Sequence, residues 1–148
     1  MFKLILVPLD GSELSRSVLP AIEELAYKLE ASLLLFHAIN PLIASYPGIE
    51  VLAADDRFGQ EQTRAAEKFL GHTAEELNSR GVPTAWLVSF GPAVDGIVNA
   101  AREKRADMIA MSTHGHTGVG RWLLGSVADA VLRRTHLPCL LLRPRQTA

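Results

Sequence analysis

Short apolar runs alternate along the chain with longer stretches in which apolar residues recur at helical spacing. "FKLILVPL" is almost continuously apolar, the pattern of a strand covered on both faces. Ser12 or Ser15 can cap the helix expected next, which runs through Tyr27 and Leu29. Pro20 lies inside that stretch, so the regular helix either starts near it or kinks there. "ASLLLFHAI" predicts a second strand. Residues 41–57 hold Pro41, Pro47 and Gly48 without a clear period, which predicts an irregular loop. Phe58, Ala65, Ala66, Phe69, Leu70, Thr73 and Leu77 then form a helical stripe that ends before Gly81. "VPTAWLVSF" predicts a third strand. "GPAVDGIVNAAREK" predicts a helix with Pro92 near its N-terminus, and "ADMIAM" a short buried fourth strand. A glycine-rich loop follows, then a helix from about Ser126 to Arg134, then "LPCLLLRP" as a fifth strand.

Strand–helix alternation of this kind predicts an α/β fold: a single doubly wound, mainly parallel sheet with helices on both faces. The 148 residues suit one domain, 1–148, and no internal repeat divides them. In such sheets ligands bind outside the carboxyl ends of the strands, where the strand order reverses. With the order 3-2-1-4-5, that crevice would lie between strands one and four. The loops "LDGS" at 9–12 and "STHGHTG" at 112–118 would then face each other.

Composition narrows the function classes. Fifteen basic residues nearly offset sixteen acidic ones, for a formal net charge of -1. That balance gives no general pull toward nucleic acid or membrane. The apolar runs have strand rather than membrane length, and no small-residue cleavage region follows the first. The single cysteine, Cys139, fits a reducing, cytoplasmic setting, and "LPCLLL" makes it a packed small hydrophobe. Arg133, Arg134, Arg143 and Arg145, with His136 among them, read as a solvated helix C-terminus and strand end.

Candidate chemistry concentrates in the loop after strand four. "GHTGVGRW" has P-loop glycine spacing, but Arg121 stands where the lysine should be and Trp122 where the Mg²⁺-binding hydroxyl should be. No register gives GxGxxG. Another geometry fits better. Gly115 permits close backbone approach, and Gly125-Ser126 opens the last helix, whose free N–H groups favour an anion. Ser126 can cap Ala128 or Asp129 through its side chain, or donate its hydroxyl to a phosphate. An ordinary capped helix after a loop is the competing reading.

Asp10, directly after the first strand, offers a carboxylate either to a ligand or to the turn that starts the next helix. His114 and His116 lack a third ligand at metal-binding spacing. His37 reads as a satisfied sheet-end histidine. Arg121 reads as solvated, and Trp122, Leu123 and Leu124 as packing or partner-facing residues. Ser12, Thr113 and Ser126 have no positioned base that would make them nucleophiles. A phosphorelay receiver would need an acidic residue after strand three, where "VSFGP" has none.

"MSTHGHTGVGRWLLGSVADAVLRRTHLPCLLLRP" resembles the C-terminal signature of the universal stress protein family, whose nucleotide-binding members carry G-x2-G-x9-G-[ST]. Gly115, Gly125 and Ser126 match its last three elements; Ser112 stands where the first glycine would be. "ILVPLDGSELSRSVLPAIEELA" resembles the family's first strand and helix. The resemblance implies strand order 3-2-1-4-5 and an ATP site, with or without Mg²⁺. By position, it implies that Pro8, Leu9 and Asp10 border adenine and ribose, and that Ala38 lines the adenine pocket. Met111, Ser112, His114, Gly115 and the helix start Gly125, Ser126, Val127 and Ala128 would hold ribose and phosphates.

The resemblance also implies a homodimer through the last strand, Leu137–Arg143. An apolar edge strand independently invites pairing with a copy of itself. The expected protein is a cytoplasmic ATP-binding module with a stress-response role exerted through nucleotide occupancy. Without a general base, any ATP hydrolysis would be weak. The alternative is a dimeric interaction or scaffold protein of the same fold that binds no nucleotide, a reading favoured by Ser112 and the irregular loop.

Overall fold

The computed structural model describes residues 1–40, 56–113 and 124–144, with the side chains of residues 56–58 left aside. The elements run β1 (Leu4–Pro8), α1 (Glu13–Arg16), α2 (Leu19–Leu29), β2 (Ser32–Ile39), α3 (Asp56–Ser79), β3 (Thr84–Phe90), α4 (Ala93–Glu103), β4 (Met108–Ser112), α5 (Ser126–Arg134) and β5 (Cys139–Leu142). The five strands form one parallel sheet in the order β3-β2-β1-β4-β5. The irregular loop expected at 41–57 lies outside the described residues up to Asp56, where α3 already begins.

Pro20 resolves the first helical stretch into two pieces. Ser12 caps α1, its Oγ accepting from the Ser15 N–H at 3.1 Å. The chain then restarts at Leu19, which puts Pro20 in the first turn of α2, where a missing N–H costs nothing. Glu30, at φ 52°, closes α2 in the left-handed region. Asn78 clips the end of α3 to β3: its Nδ2 donates to the carbonyls of Ala74 and Thr84, and its Oδ1 accepts from the Thr84 N–H.

Side chains alternate across the sheet into two cores. On one face Ile5, Val7, Leu33 and Leu35 pack against Ile22 and Ala26 of α2 and Leu70, Ala74 and Leu77 of α3. On the other, Leu6, Leu34, Phe36, Ile109 and Met111 pack against Ile97, Ala100 and Ala101 of α4 and Ala128 and Val131 of α5. Strands buried on both faces explain why β1 and β2 read as continuous apolar runs. Gly96 lets α4 close onto this second core, since a Cβ there would lie 2.8 Å from both Phe36 Cζ and Ser89 Oγ.

Candidate functional site

Hydrogen bonding along β1 shows where the sheet opens. The Lys3 carbonyl accepts from Ser32 N–H and the Leu9 N–H donates to the Phe36 carbonyl, so odd-numbered residues of β1 face β2. The Leu4 carbonyl accepts from Asp107 N–H, so even-numbered residues face β4. Pro8 is therefore the last β1 residue on the β4 side, and it has no N–H to give. The β1–β4 register accordingly covers Ile5–Met108 and Leu6–Ile109. Pairing of β1 with β2 continues to Pro8–Phe36, and that of β4 with β5 to Ser112–Leu142. The two halves of the sheet part at their carboxyl ends, where the strand order reverses.

Leu9 and Asp10 form one lip of this opening. Leu9 is buried. Asp10 is exposed, and its Oδ1 accepts from the Ser12 N–H at 2.8 Å and from the Ser12 hydroxyl at 2.5 Å. Gly11, at φ 84°, turns the chain between them. Asp10 thus organises the start of α1, as the turn reading expects, while remaining at the mouth of the crevice.

The other lip is built from β4 and α5. Met111 is buried, and Ser112 is half-buried beside Leu142. Thr113 is 8% exposed; its N–H donates to the Leu142 carbonyl, and its Oγ1 has no hydrogen-bond partner among the described residues. Gly125 sits directly against it. A Cβ on Gly125 would lie 2.5 Å from the Thr113 carbonyl oxygen, and its φ of 80° is itself one that L side chains avoid.

That contact corrects one expectation. Gly125, not Ser126, occupies the cap position of α5, and Ser126 is the first helical residue. Only a glycine fits the cap, so no side chain there can satisfy the first N–H groups of α5. Ser126 and Val127 are exposed at this mouth, and Ala128 is buried beneath it. An orphaned buried hydroxyl beside an uncapped helix N-terminus is suited to an anion's oxygens.

Ala38 lies on β2 opposite Ser89 and packs partly against the second core. His37 beside it is satisfied, as expected: its Nδ1–H donates to the Leu9 carbonyl at 2.7 Å. The structure thus brings Pro8, Leu9, Asp10 and Ala38 to one side of the opening and Met111, Ser112, Gly125, Ser126, Val127 and Ala128 to the other. His114 and Gly115 lie outside the described residues, as do His116, Gly118, Gly120, Arg121, Trp122, Leu123 and Arg145. Thr113, weighed in the sequence only as a nucleophile, belongs to the site through its carbonyl and hydroxyl.

Both arginines at the end of α5 have acidic partners. Arg133 pairs with Asp129 at 3.0 Å, and Arg134 contacts Asp95 of α4. Burial pushes the Cys139 thiol up from its ordinary value, consistent with a packed side chain. Among the described residues, no three His, Cys, Asp or Glu side chains converge as a metal site, and no helix is long and apolar enough to cross a membrane.

An all-parallel sheet that opens at its switch point onto an uncapped helix defines an α/β protein with a crevice at the strand carboxyl ends, the place where sheets of this kind hold ligands. The universal stress protein family model matches residues 1–143, and the chain belongs to that family. It is 33% identical to a universal stress protein of Thermus aquaticus, covering 97% of this chain and all of that one. It is 31% identical to one of Methanocaldococcus jannaschii, covering 97% of this chain and 83% of the relative. Solved structures share the fold. A second Methanocaldococcus jannaschii member, 24% identical, superposes with a TM-score of 0.86 over 99% of each chain. A universal stress protein in complex with cAMP does so at 0.65, with 21% identity over 97% of this chain and 98% of that one. A universal stress protein from Archaeoglobus fulgidus in complex with dAMP superposes at 0.66, with 16% identity over 95% and 97%.

Proposed function

We propose that this chain binds ATP in the crevice between β1 and β4 and acts as a cytoplasmic regulatory module in the stress response. The observation that carries the reading is the Gly125–Thr113 contact, which leaves the N-terminus of α5 uncapped at the edge of the opened sheet. Pro8, Leu9 and Asp10 would border the base and ribose, with Ala38 lining the base pocket. Met111, Ser112, His114 and Gly115 would follow the ribose and phosphates to Gly125, Ser126, Val127 and Ala128. Mg²⁺ would enter with the phosphates. The cAMP and dAMP complexes of fold relatives support an adenine nucleotide as ligand.

Nucleotide occupancy would be read through a homodimer. β5 is an edge strand whose residues Cys139–Leu142 are only half-buried, which supports pairing with a second copy through Leu137–Arg143. Light scattering at micromolar concentration should then give twice the chain mass, and a monomer would refute the pairing.

The nucleotide reading is tested by mass spectrometry of small molecules released when freshly purified protein is denatured, before and after incubation with Mg-ATP. Adenine nucleotide at a stoichiometry near one per chain supports it; its absence in both samples overturns it. Ser112, where the family pattern has glycine, favours one other reading: an interaction protein of the same fold without nucleotide. Partner capture unaltered in a nucleotide-free Asp10→Ala variant would support that alternative.

A further inference from the structure

The β1–β2 ladder ends irregularly, at a point the nucleotide reading leaves unexplained. At its start the bonding is ordinary: Lys3 lies one residue before the Leu4–Ser32 pair, and its carbonyl takes the Ser32 N–H at 2.9 Å. Continued in register, Leu9 lies opposite His37, and its carbonyl should take the N–H of Ala38. The first half of this expectation holds, since the Leu9 N–H donates to Phe36 at 2.8 Å. The second half does not. The Leu9 carbonyl accepts from the His37 ring at 2.7 Å, and among the described residues no backbone bond joins it to Ala38.

A carbonyl offers no proton, so the 2.7 Å contact fixes Nδ1 as the protonated ring nitrogen, whatever the ring's charge. The imidazole stands in for the strand's own N–H at the Leu9 carbonyl, two residues before Gly11 turns the chain at φ 84°. Ala38, an even-numbered residue of β2, keeps its N–H and carbonyl on the β1 side, beyond the last β1–β2 pair. Ala38 is half-buried, and main-chain groups withdrawn from water are rarely left unpaired. Here both belong to the residue that borders the crevice.

We infer that His37 is a positioning residue: by holding the Leu9 carbonyl through Nδ1, it withholds that acceptor from Ala38 and leaves the Ala38 peptide edge to a ligand. The inference rests on the proposed crevice being a nucleotide site. The ligand portion concerned is a planar heterocycle with a hydrogen-bond acceptor beside a donor, because the Ala38 edge, unpaired among the described residues, presents one donor and one acceptor. His37 itself would touch neither base nor phosphate. Its effect would fall on the base-binding half of the site alone, since α5 lies across the opening.

Two variants separate positioning from mere stability. Asn places its amide N–H near the position of Nδ1, so His37→Asn keeps the donor; His37→Phe keeps a ring and removes it. Amide hydrogen exchange of the full chain without ligand tests the geometry directly. Ala38 should exchange quickly in the unaltered protein and in His37→Asn. In His37→Phe it should slow by at least about tenfold, as the released Leu9 carbonyl captures it. A protected Ala38 amide in the unaltered protein would overturn the inference.

Calorimetry with two probes tests the consequence. His37→Phe should weaken ATP by about tenfold, the scale of one or two lost hydrogen bonds, and leave inorganic tripolyphosphate unchanged. His37→Asn should retain ATP affinity within about threefold, on the same scale. Unchanged ATP affinity in His37→Phe, or equal loss for both probes, would contradict the role. If the unaltered chain bound no ATP, the nucleotide reading and the base-directing role would fall together, while the exchange pattern would still decide whether the ring replaces the ladder bond.

Discussion

The carbonyl oxygen of Thr113 occupies the space that a side chain on Gly125 would need, 2.5 Å from the position of its Cβ. One contact therefore joins the end of β4 to the start of α5 and keeps that helix mouth free of a capping side chain. Gly125→Ala must relieve both the clash and a φ of 80°. The expected loss is about 2–4 kcal/mol, lowering Tm by roughly 6–12 °C. Thermal melts monitored by circular dichroism check this, and a loss below about 1 kcal/mol would show that the contact is not confining.

Two helical glycines should respond in opposite directions to the same substitution. A Cβ at Gly71 meets only the Trp86 ring at 3.7 Å, an ordinary contact, so Gly71→Ala should stabilise by about 0.5–1 kcal/mol through helix propensity. A Cβ at Gly96 meets Phe36 and Ser89 at 2.8 Å, and Phe36 is buried in the second core. Overpacking of about 1–3 kcal/mol should outweigh the propensity gain there, so Gly96→Ala destabilises. Denaturant titrations of the two variants settle the signs, and a stabilised Gly96→Ala would show that α4 can withdraw from the sheet.

Asp107 ties down the beginning of β1. Its Oδ2 accepts from the N–H groups of Lys3 and Leu4 at 2.7 and 2.9 Å, and these bonds, Lys3 first, hold its carboxyl below the ordinary value. A depressed folded-state pKa means that the stabilisation is present above the unfolded value of about 4 and is lost as pH falls through the folded value. The stability gap between the unaltered chain and Asp107→Asn should therefore be constant from about pH 7 to 5 and shrink below about pH 4. A gap independent of pH down to about 3 would show that the charge is immaterial.

Much of this architecture is legible in the sequence because it depends on local pattern. The apolar run ending in Pro8 shows both a doubly covered strand and its end. Strand–helix alternation places "LDGS" and the loop after Met111 at carboxyl ends, and the observed order brings those ends together. What is not legible depends on contacts between distant residues. Ser126 is a good capping residue in isolation; it loses the cap because the Thr113 carbonyl, twelve positions before Gly125, admits only glycine there. His37 was readable as a satisfied histidine, but the partner that satisfies it, the Leu9 carbonyl, emerges only when the two strands are in register. Gly96 carries no local signal that Phe36 and Ser89 stand over it.

The claim that the opening between β1 and β4 is a nucleotide site is tested most directly by the thermal stability of the unaltered protein in millimolar Mg-ATP. A ligand at about one hundred times its Kd adds about 2.7 kcal/mol to the folded state, so Tm should rise by several degrees. The rise should saturate with concentration and shrink in Gly125→Ala when each protein is compared with its own ligand-free melt. An unchanged Tm for the unaltered protein, once it is known to carry no bound nucleotide, would contradict the account.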